Sequence, residues 1–388
     1  MGPPSTDSAA RLESLLSRCS LHMSRNQRLS GDHASPFHRR NRKTLPDPAA
    51  SGLIDQVTRV AFLASVLIAA VAACSSTPVS PTPDDGGAPP PAGDQQGCSR
   101  TSVNLTPLSD LTAGAYQGEP GGLYPGRSNA MPASHLSAGL ELARGIEPLD
   151  AQGQPSPTGR YTFISIGMSN TTQEFSAFVP LANADAGRDP RLVIVDGAQG
   201  GQTAADWANP ACQCWTRLDG RLQQANVSAA QVAVAWIKLA NRQPSEGWPT
   251  HARRLKDDTV IVLERLKARF PNLRLAYFSS RIYAGYATTT LNPEPYAYQS
   301  GFSVRWTIED QLNGGLSFSG ANPRSPWIAW APYLWADGVR PRSDGLTWAC
   351  SDLAADGTHP STVGRQKVAQ MLLDFVRTDA TAREWYLK

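Results

Sequence analysis

Tyr161-Thr162-Phe163-Ile164-Ser165-Ile166-Gly167-Met168-Ser169-Asn170 is the stretch on which the reading of this chain turns. It carries no charge after Arg160 and is rich in β-branched and aromatic side chains, the composition of a buried strand. It then turns at Gly167 and enters a helix-like run over 171–182. A serine therefore falls between the end of a strand and the start of a helix. Open α/β sheets bind their ligands there, outside the carboxyl ends of the strands. Ser169 is expected to be a nucleophile, and a nucleophilic serine needs a base, an acid that orients the base, and donors for an oxyanion.

Working outward, strand-like runs recur at 191–195, 231–239, 273–278 and 327–331. Helical patterns alternate with them at 171–182, 215–225, 249–269, 304–312 and 361–377, with a short one at 134–144. Alternation of this kind predicts an α/β fold with a parallel sheet covered on both faces. The strands read as near-continuous apolar runs, as strands buried on both sides do. Helix 249–269 has an apolar face through Leu255, Val262, Leu263 and Leu266. Apolar residues make up 41% of the chain and charged residues 18%, which fits a globular domain, read here as 98–388. The net charge of +3 comes from the N-terminus: residues 1–56 hold eight of the 36 Lys and Arg but only five of the 33 Asp and Glu. The remainder is neutral and shows no basic stripe, so no nucleic-acid partner is expected.

The N-terminal part reads as export machinery. The apolar run 60–73 is shorter than the ~20 residues a membrane-spanning helix needs, but it suits a signal-peptide core. Val71-Ala72-Ala73-Cys74 resembles the lipobox of bacterial lipoproteins, which implies lipidation of Cys74. The signal is placed at 57–73, with translation expected to begin near Val57 and residues 1–56 an Arg-rich leader, either disordered or outside the natural product. Residues 74–97 form a Pro/Gly/Ser-rich tether, too polar to bury a core. The expected location is the bacterial cell envelope, with the domain lipid-anchored to the outer or plasma membrane.

After such processing three histidines remain: His135, His251 and His359. His135 lies in the irregular N-terminal part of the domain, and His251 opens a helix beside Arg253 and Arg254 and reads as solvated. His359 stands in Asp356-Gly357-Thr358-His359-Pro360, three residues after an aspartate and just before the last helix. A tight turn there aims both side chains into one cleft, the carboxylate fixing the imidazole while the ring faces the serine.

Gly167-Met168-Ser169-Asn170 near the start of the domain and Asp356-Gly357-Thr358-His359 near its end together resemble the SGNH (GDSL-type) hydrolases. The resemblance implies a flavodoxin-like three-layer sandwich with a five-stranded parallel sheet and an esterase that needs neither metal nor organic cofactor. It implies Ser169 as nucleophile, His359 as general base and Asp356 as orienting acid. For the oxyanion hole it implies the Ser169 N–H, a glycine N–H after the second strand, and an asparagine after the third. Asp196-Gly197-Ala198-Gln199-Gly200-Gly201-Gln202-Thr203 supplies Gly201, with Gly200 the alternative, and Asn241 is the asparagine in place. Two positions depart from the family pattern: Met168 replaces the aspartate before the nucleophile, and Leu239 stands where a glycine is usual.

In an exported protein the domain cysteines Cys98, Cys212, Cys214 and Cys350 are expected to form disulfides, with three pairings open. The spacing favours Cys212 and Cys214 each pairing with Cys98 or Cys350 over pairing with each other. The segment 279–302 reads as a long functional loop, with Arg281, Tyr283, Tyr286 and Tyr298 as candidates to line a polar substrate site or to pack the loop down. Trp327, Trp330 and Trp335 read as core. The resulting expectation is a serine esterase acting on an acyl ester, acetyl on a carbohydrate first. A non-catalytic carbohydrate-binding lipoprotein or an acyltransferase on the same fold are the alternatives.

Overall fold

The computed structural model describes residues 97–388. The expected leader, signal, Cys74 lipidation site and nearly all of the tether lie outside the described residues. A two-residue antiparallel ladder, β1 (Ala115–Tyr116) with β2 (Glu119–Pro120), and helix α1 (Ala133–Arg144) come first. The alternating part follows: β3 (Tyr161–Gly167), α2 (Ser169–Ala184), β4 (Leu192–Val195), α3 (Ala204–Ala208), α4 (Gln213–Gln224), β5 (Val232–Lys238), α5 (Thr250–Arg269), β6 (Leu275–Phe278), α6 (Tyr296–Leu312), β7 (Trp327–Trp330), α7 (Thr362–Thr378) and α8 (Arg383–Tyr386).

The five strands β3 to β7 form one sheet in the order β4-β3-β5-β6-β7, every neighbouring pair parallel. Numbered from β3, this is the 2-1-3-4-5 order of flavodoxin-like folds. Helices α2, α7, α8 and α1 pack among themselves, and α3, α4, α5 and α6 among themselves, giving a helix–sheet–helix sandwich. All seven residues of β3 and all seven of β5 are buried, which is why both strands read as unbroken apolar runs. Phe163, Phe175, Phe178, Trp236 and Trp385 pack ring against ring between β3, β5, α2 and α8. The order of strands reverses at β3, so the carboxyl ends of β3 and β5 flank the switch point at which open α/β sheets place their ligands. Ser169 follows the first of these ends and Lys238 closes the second.

Gly167 makes that arrangement possible. A Cβ there would meet Thr171 Oγ1 at 2.2 Å and the Lys238 carbonyl at 2.4 Å, so only glycine lets β3 turn into α2 this close to β5.

The segment expected as a loop over 279–302 is shorter than its composition implied. Helix α6 reaches back to Tyr296, starting directly after Pro295. His251 is buried rather than solvated, its ring edge-on to Tyr296 at 4.9 Å. His135 lies on α1, buried, with Nε2 at 2.9 Å from the Ile328 carbonyl. Trp327, Trp330 and Trp335 are core, as expected. The disulfides differ from the expectation: Cys98 pairs with Cys350, and Cys212 pairs with Cys214. Cys212 caps α4 and Cys214 lies in its first turn, which brings their Cα atoms to 5.1 Å, inside the range a disulfide spans.

Candidate active site

Two locally encoded turns meet at the end of the sheet. The first is the entrance of α2, where the Met168 N–H donates to Thr171 Oγ1 at 3.2 Å and Ser169 is the first helical residue. The second is the turn before α7. There the Gly357 N–H donates to the Ala354 carbonyl and the Ala354 N–H to the His359 carbonyl, both at 2.8 Å, and Ser361 Oγ caps the helix through the Gly364 N–H.

Between the two turns Ser169 Oγ lies 2.7 Å from His359 Nε2, across 190 positions of sequence. On the other side of the ring, His359 Nδ1 lies 2.5 Å from Asp356 Oδ2. An Nδ1–H donated to the carboxylate leaves the Nε2 lone pair to accept the Ser169 hydroxyl proton. Asp356 Oδ1 also accepts the N–H groups of Thr358 at 3.0 Å and His359 at 2.9 Å. Burial works to raise the Asp356 carboxyl, but the His359 ring and these two backbone donors outweigh it and hold its pKa at about 2. The three expected residues are thus brought together in a hydrogen-bonded chain, with His359 and Asp356 about a quarter to a third exposed.

The glycine-rich loop after β4 is tied to the same strand end. The Gly167 carbonyl accepts the Gln199 N–H at 3.0 Å and Trp207 Nε1 at 3.1 Å. The Asp196 carboxylate takes Ser165 Oγ at 2.5 Å, Ser176 Oγ at 3.0 Å and the Thr172 hydroxyl, which pins the loop to β3 and α2. A turn from Gln199 to Gln202 carries Gly200 and Gly201 at its tip, with Gly201 at φ +75°. Gly200 is the glycine that adjoins the nucleophile: a Cβ on it would lie 3.9 Å from Ser169 Cβ. The N–H groups of Ser169, Gly200 and Gly201 make no hydrogen bond to an acceptor among the described residues.

Other expected site residues have different partners. The Asn241 carboxamide accepts the Ala205 N–H at 3.1 Å and donates to Asp258 at 2.7 Å, so it joins α3 to α5. Tyr283 and Tyr286 are buried; their hydroxyls donate to the carbonyls of Arg100 at 2.6 Å and Trp348 at 3.0 Å. They pack the segment down behind the Asp356 turn, where the Thr288 N–H also donates to the Asp356 carbonyl at 3.0 Å. Tyr298 is likewise buried, bonded to the Thr106 carbonyl. Arg281 is buried too, its charge facing Glu174, Glu294 and Asp356 rather than open solvent. The amphipathic character of tyrosine and arginine made them plausible surface groups; long-range packing put them inside.

Four residues were not singled out from sequence. Asn170 donates to the Thr358 carbonyl at 2.9 Å, Thr171 Oγ1 donates to the Lys238 carbonyl at 2.7 Å, and Lys238 pairs with Glu174. The signal was there for two of them: Lys238 ends an otherwise apolar strand, and Glu174 falls on the apolar face of α2 beside Phe175 and Phe178. Among the described residues no group of three or more His, Cys, Asp or Glu is arranged to hold a metal ion.

No family model matches the chain, and no curated protein matches it in sequence. Solved structures do. The chain is similar to a Bacillus subtilis protein at 13% identity and a TM-score of 0.34, covering 58% of this chain and 57% of that one. It is similar to a gut microbial diltiazem-metabolizing enzyme at 15% and 0.33, covering 60% and 48%. It therefore spans about half the length of these two proteins. It is also similar to a mutant of an acetyl-xylooligosaccharide esterase from Geobacillus at 14% and 0.33, covering 57% of this chain and 95% of that one.

Proposed function

We propose that this protein is a serine esterase. The observation that carries the reading is the chain Ser169 Oγ–His359–Asp356, at 2.7 and 2.5 Å, set beyond the carboxyl end of β3. In this reading Ser169 Oγ attacks the ester carbonyl carbon as His359 Nε2 takes the hydroxyl proton. The Asp356 carboxylate stabilises the imidazolium that forms and keeps the ring in its tautomer. The oxyanion is met by the unpaired N–H of Ser169 and those of Gly200 and Gly201; a preorganised donor of this kind is worth about 3–4 kcal/mol. Collapse breaks the ester C–O bond, and the alcohol leaves with the proton from His359. A water molecule, deprotonated by His359, then attacks the acyl-enzyme and releases the acid.

For the substrate we propose a small acyl ester on a polar alcohol, an acetylated carbohydrate first. With Tyr283 and Tyr286 buried, this rests on a different surface. Arg242, whose Nη1 donates to the Gly201 carbonyl at 3.2 Å, lines a cavity of about 260 Å³ together with Thr203, Asp206, Asn241, Glu246 and Arg254. Its mixed donors and acceptors suit hydroxyl groups more than an alkyl chain. We further propose export and anchoring through a lipidated Cys74; mass spectrometry of the membrane-extracted protein should find the mature chain starting at that residue with an attached lipid, and a start elsewhere would refute it.

The test of the esterase reading is turnover of p-nitrophenyl acetate and of an acetylated polysaccharide by the purified protein beside Ser169→Ala. The variant should lose on the order of 10⁶-fold in kcat. Turnover that survives the substitution, or none in the wild type, would sink the reading. Acetyl transfer to an added glycan in excess of hydrolysis would favour the acyltransferase alternative.

A further inference from the structure

We propose that Asn170 is a positioning residue that fixes the imidazole of His359 against Ser169. The proposal rests on the serine-esterase reading for its kinetic part only. Asn170 follows the nucleophile directly and is 1% exposed. Its Nδ2 donates to the carbonyl of Thr358, the residue before the base, at 2.9 Å. That carbonyl belongs to the peptide unit whose N–H is that of His359, and the N–H donates to Asp356 Oδ1 at 2.9 Å. One peptide plane is therefore held at both edges, the oxygen by Asn170 and the hydrogen by Asp356. Holding both edges fixes the rotation of the plane, and with it the direction in which the His359 side chain leaves the backbone.

The tether is anchored at its other end as well. Thr171 Oγ1 donates to the Lys238 carbonyl at 2.7 Å, and Glu174, one turn after Asn170, holds the Lys238 ammonium. The first turns of α2 are thus fixed on the end of β5, and Asn170 carries that fixed frame across to the turn that bears the base. Donation to the peptide oxygen also polarises its N–H, which strengthens the bond to Asp356. Thr358 is itself fully buried, so water cannot stand in for the carboxamide without a rearrangement.

The experiment compares wild type with Asn170→Ala and the isosteric Asn170→Asp, which sets a carboxylate oxygen against the Thr358 carbonyl. On p-nitrophenyl acetate, kcat should fall about 10²-fold in both, as expected for a reacting pair displaced by ~1 Å, with KM within about twofold. The second readout does not depend on turnover: the downfield proton resonance of His359 Nδ1–H, assigned by its loss in His359→Gln. It should broaden or move upfield in both variants while circular dichroism and the unfolding midpoint show a folded protein. If the wild type turns over no ester, the esterase reading fails and the resonance alone decides this proposal. If Asn170→Ala does not fold, Asn170→Asp carries the test. An unchanged resonance in a folded variant, or kcat within twofold of wild type, would overturn it.

Discussion

Lys238 Nζ donates to both carboxylate oxygens of Glu174, each at 2.5 Å, and neither side chain reaches solvent. Burial drives the Glu174 carboxyl up and the Lys238 ammonium down, and each charge is held in place by the other. Removing one partner leaves a buried charge without its counterion. Glu174→Gln should cost about 3–5 kcal/mol in urea unfolding, whereas the paired replacement Glu174→Leu with Lys238→Met should cost less, retaining only the loss of the Glu174 charge that Arg281 also faces. Equal losses in the single and paired variants would show that the ion pair is not what the site requires.

Asp356→Asn keeps the shape of the turn but cannot hold His359 in the same tautomer. kcat should fall about 10⁴-fold with little change in KM, measured on p-nitrophenyl acetate.

The same carboxylate makes stability depend on acid. Its folded pKa of about 2 lies below the unfolded value of 3.8, so the folded state binds the proton less readily. That contribution is fully present above the unfolded value and is lost as pH falls through about 2. Urea midpoints of wild type and Asp356→Asn should therefore converge as pH falls from about 4 to about 2. A gap that stays constant across this window would contradict the assignment.

Gly200 and Gly201 should respond differently to alanine. At φ +75°, Gly201→Ala should cost about 1–2 kcal/mol of stability wherever activity stands. Gly200→Ala places a methyl at ordinary contact distance from Ser169 and should leave stability within about 0.5 kcal/mol while lowering kcat/KM for longer acyl chains first. Thermal melts beside an acyl-length series separate the two effects.

The Cys98–Cys350 bridge closes a loop of 252 residues and ends six positions before Asp356. Its removal by Cys98→Ala with Cys350→Ala should cost about 2–5 kcal/mol in unfolding. Cys212 and Cys214 close almost no loop, so replacing both should cost much less. Guanidinium unfolding of the two double variants tests the ranking.

How much of this was legible in the sequence follows from how far each signal reaches. The five strands and most helices lie where alternation and periodicity placed them, because those patterns report neighbours a few residues away. The exceptions are instructive. α6 begins earlier than its pattern because buried polar residues such as Gln299 and Ser300 hide its period. α3 is five residues long, too short to show one. Ser169 and the Asp356–His359 pair were readable as well, each being a short motif in a turn.

The sequence by itself determined the order of elements, the strand-end serine and the spacing of acid and base. Only the tertiary structure decided that Asn241 joins two helices, that Arg281, Tyr283 and Tyr286 are buried, which cysteines pair, and that Asn170 reaches Thr358. Each of those depends on which distant segment is packed alongside, over separations such as the 188 positions between Asn170 and Thr358. A side chain's local pattern states what it can bond to; packing of the whole sheet settles what stands within 3 Å of it.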